Sequence, residues 1–260
     1  AASPPVAFAG AVAVAGIGGG LDAGTRPGDV VVAHEVRGPA TATTCASARL
    51  LAAALSRRGV PTLLGTVVSR PQLSTGLDRQ RGAAAGALVA DTESAWLLDS
   101  AGDRPTACVR VIADNPPTPL IHPRTLGHVR TALHRLEAVG AALAEWSAAL
   151  GPRTLLAAGP EPDDADVRAL AERCDLTLLA GRVAPTAEDS SVRVIESVTD
   201  IDLRWLAGAR TIGVAVAPPT PPEFVTELTR NLAGLGPVQT TRETTTNDSL
   251  FAQQKEVRAG

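Results

Sequence analysis

Across 260 residues the chain carries 45% hydrophobic and 20% charged residues, a formal net charge of −3 and only 2% aromatics. That balance is globular and excludes intrinsic disorder; it also argues against nucleic-acid binding, which draws on basic patches and stacked aromatics. Cys45, Cys108 and Cys174 are scattered, with no CxxC spacing and no even count for a disulfide framework, so a reducing cytoplasm is the expected location.

No apolar run is long enough to span a membrane. The Ala/Val/Gly stretch Val6–Gly20 is too short and glycine-rich, and no basic segment precedes it as in a signal peptide. Methionine is absent throughout, which leads us to expect a native N-terminus upstream of Ala1, or one that was removed.

In chain order, a strand over Ala11–Ile17 runs into Gly18-Gly19-Gly20, and a Pro27-Gly28 turn leads to a strand over Val30–Val36. There follow a helix Thr44–Arg58, strands Thr62–Ser69 and Ala87–Ala90, a helix Glu93–Ser100 and a strand Ala107–Ala113. The clearest element is the helix Thr125–Leu150, where Leu126, Val129, Leu133, Leu136, Val139, Leu143, Trp146 and Leu150 recur at three- and four-residue steps as one apolar stripe. Beyond a boundary near Gly151 come strand Thr154–Ala158, helix Asp163–Cys174, strands Leu176–Ala180 and Thr211–Ala217, and helix Pro221–Leu235. Such alternation predicts an α/β fold with helices packed on a mostly parallel sheet. The expected organisation is one domain over 1–150, a small α/β domain over 151–236 and a flexible tail over 237–260.

The triple glycine reads in two ways. Glycines permit positive φ and let a ligand approach main-chain N–H groups, yet a triple glycine by itself is more simply a turn. Its company decides: "GIGGGLDAGTRPGDVVV" is followed by "VADTES" and then by "RVIAD". In this order the three motifs resemble the purine nucleoside phosphorylase and nucleosidase superfamily, most closely its hopanoid-associated and methylthioadenosine-nucleosidase branches. The resemblance covers about Val12 to Trp146. It implies a nucleoside phosphorylase-like three-layer domain with its N-terminal strands missing, and cleavage of the N-glycosidic bond of a purine nucleoside.

That chemistry builds positive charge on the ribose and negative charge on the departing base. The resemblance makes Asp114 the acid near the base and Glu93 the carboxylate that grips the ribose hydroxyls. Gly18, Gly19 and Gly20 then line the ribose or the nucleophile, which is water or phosphate. Read without the resemblance, Asp114 is a turn residue before "NPP" and Glu93 an acid favoured by a helix N-terminus. Thr92 stands where the family usually has a methionine beneath the ribose, and Trp96 is either core or a wall of the base pocket. Two further departures are plain: the family's N-terminal acid that activates water is absent, and the loop "SRPQLSTG" lacks the usual Asp.

From Arg153 to about Gly236 the chain resembles the C-terminal third of 4-hydroxy-3-methylbut-2-enyl diphosphate reductase, through "VTDIDLRWLAGARTIGVAVAPPTPPEFVTEL". The functional residues do not follow. Cys174 sits at a helix end rather than at the cluster-cysteine position, Glu188 and Asp189 stand where a diphosphate would bind, and Pro219 replaces a serine. Because thiolates are obligatory for an iron–sulfur cluster, no such cofactor is expected.

The remaining candidates have bland readings. His122, His128 and His134 fall at six-residue steps and are expected at the surface. His34 follows a strand and is within possible reach of the cleft. Cys45 is either a mildly activated helix-start thiol or a packed small residue. Two functions stay open: a nucleosidase or phosphorylase acting on a purine nucleoside, with a 5′-substituted adenosine of terpenoid or hopanoid metabolism as its finer form, and a non-catalytic relative that binds a ligand or a partner chain. Either implies a small-molecule nucleoside as partner, no nucleic acid, no membrane span, and a homo- or hetero-oligomer.

Overall fold

The computed structural model describes residues 10–72, 76–117, 125–159, 162–181, 191–221 and 223–242. The first half holds six strands: β1 (Val12–Gly20), β2 (Val30–Arg37), β3 (Ala42–Thr44), β4 (Thr62–Ser69), β5 (Ala87–Asp91) and β6 (Thr106–Asp114). Their order is β3-β2-β4-β5-β1-β6, and a further pairing of β2 with β6 closes five of them into a ring. Closure explains why all nine residues of β6 are buried: β1 holds one edge, β2 takes the other, and the helix α4 (Thr125–Ala148) packs along it.

The expectation of a mostly parallel sheet holds for the second half, whereas the first sheet is mixed. β1 runs antiparallel to β5, and β2 antiparallel to both β3 and β6. The second half is wholly parallel: β7 (Arg153–Ala157), β8 (Leu176–Ala180), β9 (Val192–Ile195), β10 (Thr211–Val216) and β11 (Val238–Arg242) lie in the order β11-β7-β10-β8-β9. β11 overturns the flexible-tail expectation for 238–242, because its backbone completes the sheet beside β7.

Helices α1 (Ala48–Arg57), α2 (Gly76–Ala84) and α3 (Ser94–Asp99) belong to the first half; α5 (Asp164–Arg173), α6 (Leu203–Leu206) and α7 (Glu223–Ala233) belong to the second. α2, β3, β9 and α6 were not read from the sequence. Along α4 the buried face is carried by Ala132, Val139, Ala142 and Trp146, whereas Leu133 is exposed. Small alanines let the helix settle close to β6 and α1, and the expected stripe packs on the core through Leu136, Val139, Leu143, Trp146 and Leu150, departing from it at Leu133.

One apolar core runs through both halves, from Val12 and Val109 to Phe224 and Leu235. At the seam, a Cβ on Gly234 would overlap the backbone of Ala46 and Ser47, so only glycine allows the end of α7 to meet the start of α1. Trp146 donates its indole N–H to Ser47 Oγ at 2.8 Å, and Arg57 donates to the carbonyls of Thr199 and Ile201.

Candidate functional site

β6 is the spine of the site. In the middle of its apolar run stands Arg110, 1% exposed, a charge that needs a partner wherever it is buried. Its Nε lies 2.7 Å from Asp91 Oδ2 at the end of β5, and Ser94 Oγ accepts from Arg110 Nη2 at 2.8 Å. Asp91 in turn accepts from Ser69 Oγ at 2.5 Å and from Ser94 Oγ, while Ala95 N donates to Ser69 Oγ. The outer end of the guanidinium reaches Glu93: Nη1 donates to Oε1 at 3.0 Å. Glu93 is thus a fixed carboxylate whose side chain is 58% exposed.

Asp114 belongs to a different arrangement. β6 pairs Ile112 with Gly18 and then Asp114 with Gly19, so Ala113 is the extra residue of a bulge. Bulges re-aim side chains, and this one turns Asp114 to the face of β1 that Gly19 presents. There it pairs with Arg79 of α2, whose other N–H donates to Gly20 O at 3.0 Å. Arg110 and Glu93 lie against Gly16 on the opposite face. The structure therefore gives the two sequence-predicted carboxylates separate arginines and separate faces, and no hydrogen bond joins them.

The glycine expectation is corrected in its reason. Gly18, Gly19 and Gly20 end a strand, and none has positive φ. Added Cβ atoms would meet Val89 at Gly18, Asp114 and Arg79 at Gly19, and Thr25 at Gly20. Side-chain crowding, rather than a turn, requires them. Thr92 is exposed, and Trp96, 40% exposed, is not part of the core.

A cleft of about 580 Å³ opens beside this network at the carboxyl ends of β2 and β4, lined by Val68, Ser69, Arg70, Gln72 and Asp78 among others. Trp96 does not line it. Another cleft, about 450 Å³, lies at the seam of the halves between Thr44, Asp103, Arg104 and Gly234, and it touches none of the predicted site residues.

Burial pushes the Cys45 thiol up to about 12 and the Cys108 thiol up to about 11. The activated-thiol reading of Cys45 gives way to the packed one. Cys174 caps α5 and is packed in a small cluster with Val167 and Leu179. His34 is exposed, with Nε2 3.4 Å from Thr66 Oγ1; His134 is exposed, and His128 is half-buried with Nδ1 unpartnered, against its surface expectation. His122, Glu188 and Asp189 lie outside the described residues. Among the described residues no His/Cys/Asp/Glu group could hold a metal ion, and no helix is long and apolar enough to cross a membrane.

Sequence reasoning missed Arg79, Asp91, Ser94 and Arg110. For Arg110 the signal was present: an arginine flanked by "TACV" and "VIA" must carry a buried partner. Arg79 had no such signal, because α2 reaches the end of β6 only through its packing on β5 and the β5-β1-β6 strand order.

No protein-family model matches the chain, and no curated protein does. Solved structures similar to it include nucleosidases and a futalosine hydrolase. A 5′-methylthioadenosine/S-adenosylhomocysteine nucleosidase of Colwellia psychrerythraea, in complex with adenine, is 18% identical, with TM-score 0.42 over 50% of this chain and 64% of that one. An S-adenosylhomocysteine nucleosidase of Streptococcus pyogenes is 16% identical, with TM-score 0.42 over 50% of this chain and 67% of that one. A futalosine hydrolase mutant of Helicobacter pylori is 16% identical, with TM-score 0.41 over 52% and 70% of the two chains. The chain spans just under two thirds of the first relatives it matches.

Proposed function

We propose that the first half binds a purine nucleoside and acts at its N-glycosidic bond. The observation that carries this reading is Glu93, a carboxylate held at 3.0 Å by the buried Arg110 yet open to solvent. A carboxylate fixed in this way can accept from vicinal ribose hydroxyls and favour positive charge on the sugar. Asp114 is the group assigned to the departing base, with Gly19 beside it and Gly18, Gly20, Thr92 and Trp96 as further contacts. Water or phosphate is the nucleophile. The finer form, a 5′-substituted adenosine of terpenoid or hopanoid metabolism in a cytoplasmic oligomer, rests on the sequence resemblance. So does the reductase-like origin of the second half, which on this reading is a scaffold that holds no iron.

Arg79 supports a second reading. Its ion pair holds the Asp114 carboxylate, 6% exposed, against the guanidinium, so the group assigned to the leaving base is engaged within the protein. A chain built in this way binds more readily than it turns over. Calorimetric titration of the full chain with adenosine and 5′-substituted adenosines, following free adenine in the same samples, separates the two. Adenine release that falls about a hundredfold or more in Asp114→Asn, with binding kept, supports the acid role. Binding without release supports the non-catalytic form, and no binding of any nucleoside rejects both.

A further inference from the structure

Asp91 closes β5 with its side chain 3% exposed and has no part in the assignments above. Two links run from it to Glu93. Along the chain, Asp91 Oδ1 accepts from the main-chain N–H groups of Glu93 and Ser94, each at 3.3 Å, and so fixes the backbone where α3 begins. Across the sheet, Asp91 Oδ2 lies 2.7 Å from Arg110 Nε, and the same guanidinium donates from Nη1 to Glu93 Oε1 at 3.0 Å. Asp91 is itself held by Ser69 Oγ at 2.5 Å and by Ser94 Oγ. Charge follows the same geometry. One guanidinium serves two carboxylates, so the cluster is left with a net negative charge. Asp91 takes the closer contact in the interior, and the surplus falls at Glu93, whose side chain is 58% exposed.

We infer that Asp91 is the positioning residue of the ribose carboxylate: it sets where Glu93 stands and leaves Glu93 its negative charge. The inference rests on the purine-nucleoside reading, in which Glu93 accepts from the ribose hydroxyls. Asp91 touches no substrate and acts through the main chain of Glu93 and through Arg110. Groups that must meet a ligand within about half an ångström depend on such supporting bonds. Without the charge on Asp91, Glu93 would face the sugar as one half of a neutral ion pair, and its backbone would lose the anchor that aims it.

The test is calorimetric titration of the full chain, of Asp91→Asn and of Ser69→Ala with adenosine, 2′-deoxyadenosine and adenine. Asparagine keeps an oxygen for the Glu93 and Ser94 N–H groups but brings no charge to Arg110. Ser69→Ala keeps the charge and removes one of the bonds that fix it. The unsubstituted chain is expected to bind adenosine about tenfold or more tightly than 2′-deoxyadenosine, the scale of a hydrogen bond to a charged group. That ratio should fall to within about threefold in Asp91→Asn and by a smaller factor in Ser69→Ala, while adenine binds all three proteins alike. A purely structural role would weaken the three ligands together and leave the ratio unchanged; that outcome in either variant overturns the inference. Thermal midpoints show which variants are folded, and Ser69→Ala decides if Asp91→Asn is not. The reading beneath is tested on the unsubstituted chain alone. Equal affinity there for adenosine and 2′-deoxyadenosine overturns Glu93 as the ribose carboxylate, absence of all binding overturns the purine-nucleoside reading, and the inference falls with either.

Discussion

Arg79 and Asp114 form an ion pair between α2 and the bulged end of β6, with side chains 14% and 6% exposed. Gly19 makes room for it: a Cβ there would stand 3.0 Å from Asp114 Oδ1 and 3.2 Å from Arg79 Nη2. The pair ties an otherwise shallowly packed helix to the barrel, since α2 buries little beyond Gly82.

Removing one partner leaves a buried charge uncompensated. Arg79→Ala and Asp114→Ala are each expected to destabilise the chain, while the double variant loses less than their sum. A coupling of about 1–3 kcal/mol in urea-unfolding double-mutant cycles is the expected outcome. Additive effects would show that the pair contributes nothing of its own.

Arg110→Met removes the cation that Asp91 depends on. A loss of about 3–5 kcal/mol is expected, the usual cost of breaking a buried pair. Arg110→Met together with Asp91→Leu should recover part of that stability. In a nucleoside titration, Arg110→Lys keeps the charge but loses the second donor, so binding of the ribose moiety should weaken even where the fold survives.

Cys45 and Cys108 should resist alkylation in the folded protein and react once it is unfolded, because both thiols are buried and held protonated. The linkage has a definite sign. Both pKa values lie above the ordinary thiol value of 9.0, so the folded state keeps protons that the unfolded state loses. Their contribution is complete below about pH 9 and is lost as pH rises through about 11 and 12. Unfolding midpoints between pH 8 and 11 should therefore fall on the alkaline side.

Two glycines make opposite predictions. Gly234→Ala drives a methyl group into the backbone of Ser47 and should cost about 1–3 kcal/mol, as overpacking does. Gly140 lies on the exposed side of α4 with nothing within 4 Å of a new Cβ. Gly140→Ala should stabilise by about 0.5–1 kcal/mol, and urea midpoints of the two variants check both signs.

The continuous core predicts one cooperative transition. Tryptophan fluorescence and far-ultraviolet circular dichroism should trace the same urea curve, with Trp146 at the seam and Trp205 in the second half. Two separated transitions would restore independent domains on either side of Gly151.

Most strands were legible because they are short runs of Val, Leu, Ile and Ala between Gly/Pro breaks; β4 and β8 match their expected bounds without change. β11 was not legible: "VQTTR" is polar, and its strand state is imposed by hydrogen bonds to β7 rather than by its own side chains. α2 was hidden for a related reason, since "GLDRQRGAA" shows no apolar stripe. At the site, Glu93 and Asp114 were named from motif order. Nothing local could show that each is held by an arginine, one seventeen residues further along and the other thirty-five residues back.

By itself, then, the chain determined its α/β class, the apolar strand runs and the residue types gathered around "VADTES" and "RVIAD", because periodicity and composition act over a few residues. Only the tertiary structure decided that the first sheet closes on itself, that a single extra residue at Ala113 turns Asp114 away from Glu93, and that Arg79 meets Asp114. These are matters of register and long-range pairing, set by how strands and helices distant in sequence satisfy one another's charges and hydrogen bonds.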